Sequence, residues 1–333
     1  MPLNRLTAIS AAAAIATVLS GCAHTGDIGP GDLKPRSLSQ AQRPALAGVS
    51  QAGRPTVALV LGGGGLRGFA HIGVIRAMEE AGIQPDIVVG TSAGAVVGAA
   101  YASGMTSGQI ETTARNIKLS SLIDLTWAPG GFMRGNNLAK WVDTVTASVP
   151  IEQFPVRFAA VATDMGSETP VLIDSGAAGR AIQASAAVPG ATVPVPYEHG
   201  HLIDGGVTSL VPVRAARAMG ADVVIAVDIY CKGPRSDGMS VPGVVSRVMR
   251  TQSCLLAAPE MAEADVLIAP AVSVSGMSAK DEQDLAVLAG YEAARAALAR
   301  FMADPARTEA QARMRSLSPA PDRRVASGRV SRP

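Results

Sequence analysis

Three short glycine-rich turns, each placed after an apolar run, restrict the folding of this 333-residue chain more than any other feature. Gly62-Gly63-Gly64-Gly65-Leu66-Arg67-Gly68 follows Thr56-Val57-Ala58-Leu59-Val60-Leu61 and precedes a helical pattern from Leu66 to about Ala81. Gly90-Thr91-Ser92-Ala93-Gly94 follows Asp86-Ile87-Val88-Val89 and opens the small, apolar run Ala95 to Ser103, which Gly104 stops. Asp204-Gly205-Gly206 ends the short run His201-Leu202-Ile203. Apolar runs without polar alternation read as strands buried on both faces, and their alternation with helices reads as a mostly parallel sheet covered on both sides. The expected fold is α/β, with residues 55–302 as one large domain and no internal repeat.

The same turns carry chemistry. A serine hydroxyl is a poor nucleophile until a base takes its proton, and a strand, tight turn and helix around Ser92 would lift its oxygen clear of the sheet. Gly90 and Gly94 give that turn the room it needs. The charge that develops on an attacked carbonyl oxygen calls for preorganised donors, and amides of Gly63, Gly64 and Gly65, in a loop entering a helix, are the expected oxyanion hole. Asp204 is a candidate base: Gly205 and Gly206 behind it leave its carboxylate free to approach another turn.

Two competing readings use the same residues. Gly63-x-Gly65-x-x-Gly68 fits a dinucleotide-binding fingerprint with Asp86 as the ribose-binding acid, although Ser92 and Asp204 weigh against it. No Gly-Lys-Ser or Gly-Lys-Thr follows, so a P-loop is not supported. The four histidines are His24, His71, His199 and His201, and none follows Asp204. A Ser-His-acid triad would need His199 or His201 with an earlier acid such as Asp164 or Asp174. Both histidines fall in Tyr197-Glu198-His199-Gly200-His201, which reads as an exposed hairpin turn between Val193 and Ile203.

Taken together, the glycine loop with Arg67-Gly68, the Gly90 to Gly94 elbow and Asp204-Gly205-Gly206 resemble the patatin-like phospholipase family. Ile182-Gln183-Ala184-Ser185-Ala186-Ala187-Val188-Pro189-Gly190 and Gly220-Ala221-Asp222-Val223-Val224-Ile225-Ala226-Val227-Asp228 are similar to the family's blocks before and after the aspartate, so the resemblance covers about residues 55 to 300. It implies a three-layer α/β/α sandwich with a mostly parallel central sheet. It also implies hydrolysis of phospholipid or lysophospholipid acyl esters by a serine–aspartate dyad, Ser92 and Asp204, with no cofactor and no metal. Where many members carry asparagines after the aspartate motif, this chain has Thr208-Ser209-Leu210-Val211, a departure that bears on substrate detail. A non-catalytic envelope lipoprotein that keeps the fold to bind lipid or a partner is the alternative from another class, and intact Ser92, Asp204 and glycine loop argue against it.

The N-terminus points to the compartment. Met1-Pro2-Leu3-Asn4-Arg5 is a short basic start and Leu6 to Leu19 an apolar stretch of 14 residues, short of the ~20 needed to span a bilayer. Residues 1–21 are therefore expected to be a signal peptide. Leu19-Ser20-Gly21-Cys22 looks like a bacterial lipobox, in which Cys22 is acylated and becomes the first residue. Ala23 after it favours the outer membrane, facing the periplasm. Residues 22–54, rich in Gly, Pro, Ser and Gln, read as a flexible tether between this anchor and the domain. The segment 303–333 holds seven arginines against three acids and reads as a solvated, disordered tail, with contact to anionic lipid or cell wall as the sharper alternative.

The remaining features narrow the partners. A formal charge of +2 argues against a nucleic-acid binder; membrane lipid as partner is what the family resemblance and the lipobox imply, and protein partners are unknown. With Cys22 lipidated, Cys231 and Cys254 are left as either a disulfide or two buried thiols. Leu122 to Met133 gathers Trp127 and Phe132 on a Pro-Gly segment in a chain with 3% aromatics. A loop folded onto the core is the favoured reading, and an interfacial lid the alternative.

Overall fold

The computed structural model describes residues 33–41, 55–234 and 239–303. A short arm contributes β1 (Arg36–Ser37) and α1 (Leu38–Ala41). The domain then runs through β2 (Val57–Leu61), α2 (Phe69–Glu80), β3 (Ile87–Thr91), α3 (Ala93–Ala102) and α4 (Ser107–Asn116). An excursion follows, with the hairpin β4 (Leu125–Ala128) and β5 (Gly131–Met133) and helix α5 (Asn136–Val145). Next come β6 (Arg157–Asp164), β7 (Thr169–Ile173), α6 (Ala178–Ser185), β8 (Val195–Tyr197) and β9 (Gly200–Asp204). The chain closes with α7 (Val213–Ala218), β10 (Val223–Val227), α8 (Val241–Met261), β11 (Val266–Ile268) and α9 (Lys280–Ala303).

Strands β11, β10, β2, β3 and β6 lie side by side and parallel. β7 and then β1 extend the sheet antiparallel beyond β6. β9 also pairs with β6 antiparallel, setting Asp204 opposite Ala162, and β8 folds back on β9. The apolar runs that predicted doubly buried strands are buried at every position in β2, β3 and β10. Their side chains alternate between two layers. Val57, Leu59, Leu61, Val88 and Ile225 face one with α2, α3 and α9, while Ala58, Val60, Ile87, Val89 and Val224 face the other with α7. The three-layer α/β/α expectation therefore holds.

Helices α2 and α9 meet almost backbone to backbone. A Cβ on Gly73 would lie 1.9 Å from the Val287 carbonyl oxygen, and one on Gly290 would lie 2.0 Å from that of Ala70. This contact anchors α2, the helix that the glycine loop enters.

Two sequence expectations need correction. Residues 33–41 do not continue a free tether: Arg36 pairs with Leu172 and Ser37 with Val171 of β7, Leu33 is buried, and Arg36 forms an ion pair with Asp174. Long-range pairing with an edge strand, invisible in a polar local sequence, orders the arm. Trp127 and Phe132 do not fold onto the core either. They sit on the β4–β5 hairpin with 91% and 56% of their surfaces exposed and pack edge to face on each other. Cys231 and Cys254, left open by sequence, form a disulfide. Cys22, the signal segment, the rest of the tether and residues 304–333 lie outside the described residues.

Candidate active site

β2, β3 and β10 deliver their C-terminal ends to one edge of the sheet, where open α/β folds place ligands. Ser92 stands at the end of β3 with φ 52° and ψ −119°, a left-handed conformation that costs a non-glycine residue of order 1–3 kcal/mol and persists only when its surroundings impose it. They do. The Ser92 N–H donates to Ser185 Oγ at 2.9 Å, and that hydroxyl donates to the Val161 carbonyl at 2.6 Å. Thr91 Oγ1 donates to the Ser209 carbonyl at 2.9 Å. Gly94 is required because a Cβ there would lie 2.0 Å from the Leu61 carbonyl oxygen, and Gly90 because one would lie 2.5 Å from Ala95 N. The turn is thus an elbow crossing the end of β2 at van der Waals contact.

Asp204 comes from the far side of the site, at the end of β9. Its Oδ1 accepts from the Gly206 N–H at 2.7 Å, and the Ser92 side chain lies near enough to lower the carboxyl's pKa. Ser92 and Asp204 are 9% and 7% exposed. Burial pushes the Asp204 carboxyl up to about 6, against the lowering effect of Ser92 and of the Gly206 hydrogen bond. A carboxylate of that basicity accepts a proton near neutrality more readily than an ordinary aspartate does. Gly205 has no room for a side chain, since a Cβ would meet the Val161 carbonyl oxygen at 2.3 Å, and one on Gly206 would stand 3.0 Å from Asp204 Oδ1. Thr163 Oγ1, bonded to Thr208 Oγ1, donates to the Asp204 carbonyl at 3.0 Å. The Thr208-Ser209 departure from the family pattern therefore buttresses the aspartate turn.

The glycine loop reaches the pair but not as a uniform set of donors. A Cβ on Gly63 would stand 3.4 Å from that of Ser92, so the loop borders the elbow. The Gly63 N–H, however, donates to the Leu210 carbonyl at 3.0 Å, and that of Gly62 to Val227. Gly63 is thereby corrected from expected oxyanion donor to a residue that ties the loop to Leu210. The amides of Gly64 and Gly65 have no partner among the described residues, and with the helix-opening N–H of Ala93 they are the donors available to an oxyanion.

Sequence reasoning missed two supporting residues. His71 is fully buried, and one ring nitrogen bonds to the Gly62 carbonyl at 2.8 Å. Desolvation pushes its pKa down to about 4, so at neutral pH the ring is uncharged and fixes the loop. Ser185 holds the elbow from below. The block around Ser185 was visible as a family resemblance, but its role depends on Val161, a distant strand residue.

The competing readings lose their geometry. His199 and His201 are exposed on the β8–β9 hairpin, Asp174 pairs with Arg36, and Asp164 accepts from Tyr197 and Ser167. No Ser-His-acid set forms around Ser92 among the described residues. Asp86 accepts from the Val57 N–H at 2.9 Å, at the start of β2. The glycine loop leaves the other end of that strand, roughly 17 Å away at the usual rise per residue, so Asp86 cannot share a ribose pocket with it.

A family model for patatin-like phospholipases matches residues 59–217. An uncharacterized NTE family protein of Mycobacterium bovis is 34% identical over 221 residues, covering 64% of this chain and 61% of the relative. Lysophospholipase NTE1 of Coccidioides immitis is 33% identical over 233 residues, covering 67% of this chain and 15% of the relative. The chain thus spans less than two thirds of the length of either. Among solved structures, VipD from Legionella pneumophila shares the fold with a TM-score of 0.52 at 14% identity, over 74% of this chain and 67% of that one. Both the elbow and the aspartate turn fall within the matched segment, and the chain belongs to the patatin-like phospholipase family.

Proposed function

We propose that the chain is a serine lipid acyl hydrolase that cleaves carboxylic esters of phospholipids or lysophospholipids. The observation that carries this reading is the meeting of Ser92, on strained backbone, with the buried Asp204 carboxylate, close enough for each to act on the other. Asp204 takes the Ser92 proton as Oγ attacks the ester carbonyl, and the Gly64 and Gly65 amides hold the oxyanion. The alcohol leaves with the proton from Asp204. The acyl group stays on Ser92 until a water, deprotonated by Asp204, releases it as a fatty acid. The fungal relative's name, lysophospholipase, favours a lysophospholipid among the candidate substrates.

The site of action in this proposal is the periplasmic face of the outer membrane, reached through acylated Cys22. The lipobox motif supports this, and so does the Cys231–Cys254 disulfide, which fits an oxidising compartment. No helix among the described residues is long and apolar enough to cross a membrane. Radiolabelled palmitate incorporated by wild type and lost in Cys22→Ser would support the anchor, and equal labelling of both would reject it.

Fluorophosphonate labelling of the purified protein tests the chemistry. Labelling at Ser92, abolished in Ser92→Ala and at least a hundredfold slower in Asp204→Asn, is expected. An unlabelled wild type, or an Asp204→Asn variant labelled at the wild-type rate, would reject the dyad.

A further inference from the structure

The segment after β10 turns back beneath the glycine loop. Ile229 fills the space beside Gly64, where a Cβ would lie 2.7 Å from its side chain. The next residue, Tyr230, contacts two guanidinium groups, with Arg67 5.2 Å and Arg250 5.3 Å from its ring centroid. Beside them opens a cavity of about 290 Å³, lined among others by Arg67, Tyr230, Ser246, Arg247, Arg250 and the Cys231–Cys254 disulfide.

Its charge is one-sided. No acidic side chain lines the cavity, and none of the three arginines forms an ion pair among the described residues. Arg250 donates to the carbonyls of Tyr230, Cys231, Gly233 and Pro234, which fixes its position and leaves its charge uncancelled. Arg67 donates through Nε to the Val272 carbonyl at 3.3 Å. Its pKa is lowered by burial and then by the nearby Arg250 charge, so holding the two cations together is unfavourable until an anion joins them. The planar fork of arginine suits phosphate oxygens, and the Tyr230 ring, within cation–π reach of both guanidiniums, helps to orient them.

We propose that this cavity binds the phosphate of the substrate, as the phosphodiester of a phospholipid or lysophospholipid whose acyl ester reaches Ser92. The proposal rests on the hydrolase reading above. Arg67 sits on the loop that supplies the oxyanion donors, two residues after Gly65, so a headgroup held here is tied to the loop that must be ordered for the reaction. Neutral acyl esters would lack this contact.

The test uses the full chain in detergent micelles with two substrates of the same acyl group, a lysophosphatidylglycerol and a monoacylglycerol. Arg247 is exposed and its side chain makes no hydrogen bond or ion pair among the described residues, so circular dichroism of Arg247→Glu should match wild type. The expected result is a fall of about tenfold in the ratio of kcat/KM for the lysophospholipid over that for the monoacylglycerol, carried by KM, which is the scale of one charged contact. Arg247→Lys should restore most of it. An unchanged ratio, or an equal fall on both substrates, overturns the proposal.

A second readout needs no turnover: phosphorus NMR line broadening of glycerophosphoglycerol by the Ser92→Ala protein, lost when Arg247→Glu is added. Broadening without hydrolysis of either ester would uphold the anion site and sink the hydrolase reading. Hydrolysis of both esters with no broadening and a constant ratio would do the reverse. Broadening of inorganic phosphate with a constant substrate ratio would mark a site for free anion and overturn its assignment to lipid.

Discussion

In the proposed mechanism Asp204 would serve as a base for the same reason that it is costly to fold. Its folded pKa of about 6 lies above the ordinary 3.8, so between those values the folded chain holds a proton that the unfolded chain has lost, and stability on this account falls as pH rises from about 4 to 6. His71 has the opposite sign. Its pKa is depressed from 6.5 to about 4, so stability falls as pH drops through that window. Each slope approaches about 1.4 kcal/mol per pH unit, and the two offset each other in wild type. Asp204→Asn removes one and leaves the other: relative to wild type its melting temperature should be similar near pH 4 and higher by several degrees at pH 7, with activity lost. A constant difference across pH would contradict the burial of an ionising Asp204. In wild type, kcat/KM should climb to a plateau through an apparent pKa near 6. At this scale the convergence of the Ser92 elbow and the Asp204 turn was legible because the proposed chemistry needs particular residue types beside glycine. The loss of the Gly63 amide to Leu210, and the supports from Ser185 and His71, were not, because each depends on a partner brought in by the fold from elsewhere in the chain.

The elements show where pattern reading succeeds and where it stops. Fully apolar β2 and the Ile87-Val88-Val89 run of β3 announced themselves to within a residue or two, since burial on both faces leaves no polar position in such a run. The β4–β5 hairpin did not. Its backbone, not its side chains, is what docks: the Phe132 and Met133 amides both donate to the Ala191 carbonyl, and Val193 N–H donates to that of Met133. A Cβ on Gly131 would meet the Thr192 backbone at 2.5 Å. With the ribbon clamped, Leu125, Trp127 and Phe132 turn outward. A cluster of large apolar side chains in water is a contact surface in waiting, and for a lipid hydrolase the bilayer is the expected partner. The exposed Val241, Val245, Val248, Leu255 and Leu256 of α8 add a second apolar stripe. Replacing Trp127 and Phe132 with Ser should lower activity on phospholipid vesicles by tenfold or more, from the lost transfer energy of two aromatic rings, while hydrolysis of a soluble short-chain ester stays within twofold. Equal loss on both substrates would mean that the hairpin shapes the site rather than the membrane contact.

For the whole molecule, the arm 33–41 decides how the sheet ends. Without β1, strand β7 would present unpaired backbone groups at its edge, a template for pairing with another chain. The arm covers them, buries Leu33, joins Arg36 to Asp174, and lays Leu38 and Ala41 of α1 against the layer that contains α7. Composition hid this because three apolar anchors in a polar stretch look like linker until a matching edge is known. Docking also shortens the leash: Cys22 and Leu33 are eleven residues apart in sequence, a reach of at most about 40 Å, so in the lipoprotein proposed here the sheet edge stays close to the bilayer. A chain beginning at residue 55 should therefore melt several degrees below one beginning at residue 33, as expected for loss of about 2 kcal/mol from a domain of this size. It should also self-associate with rising concentration in sedimentation experiments, while the longer chain stays unchanged. Asp174→Ala in the longer chain should give a smaller drop in the same direction, since it removes the ion pair and leaves the strand pairing in place. If the two truncated chains melt together and neither associates, β7 does not need the arm, and residues 33–41 revert to the linker that their composition describes.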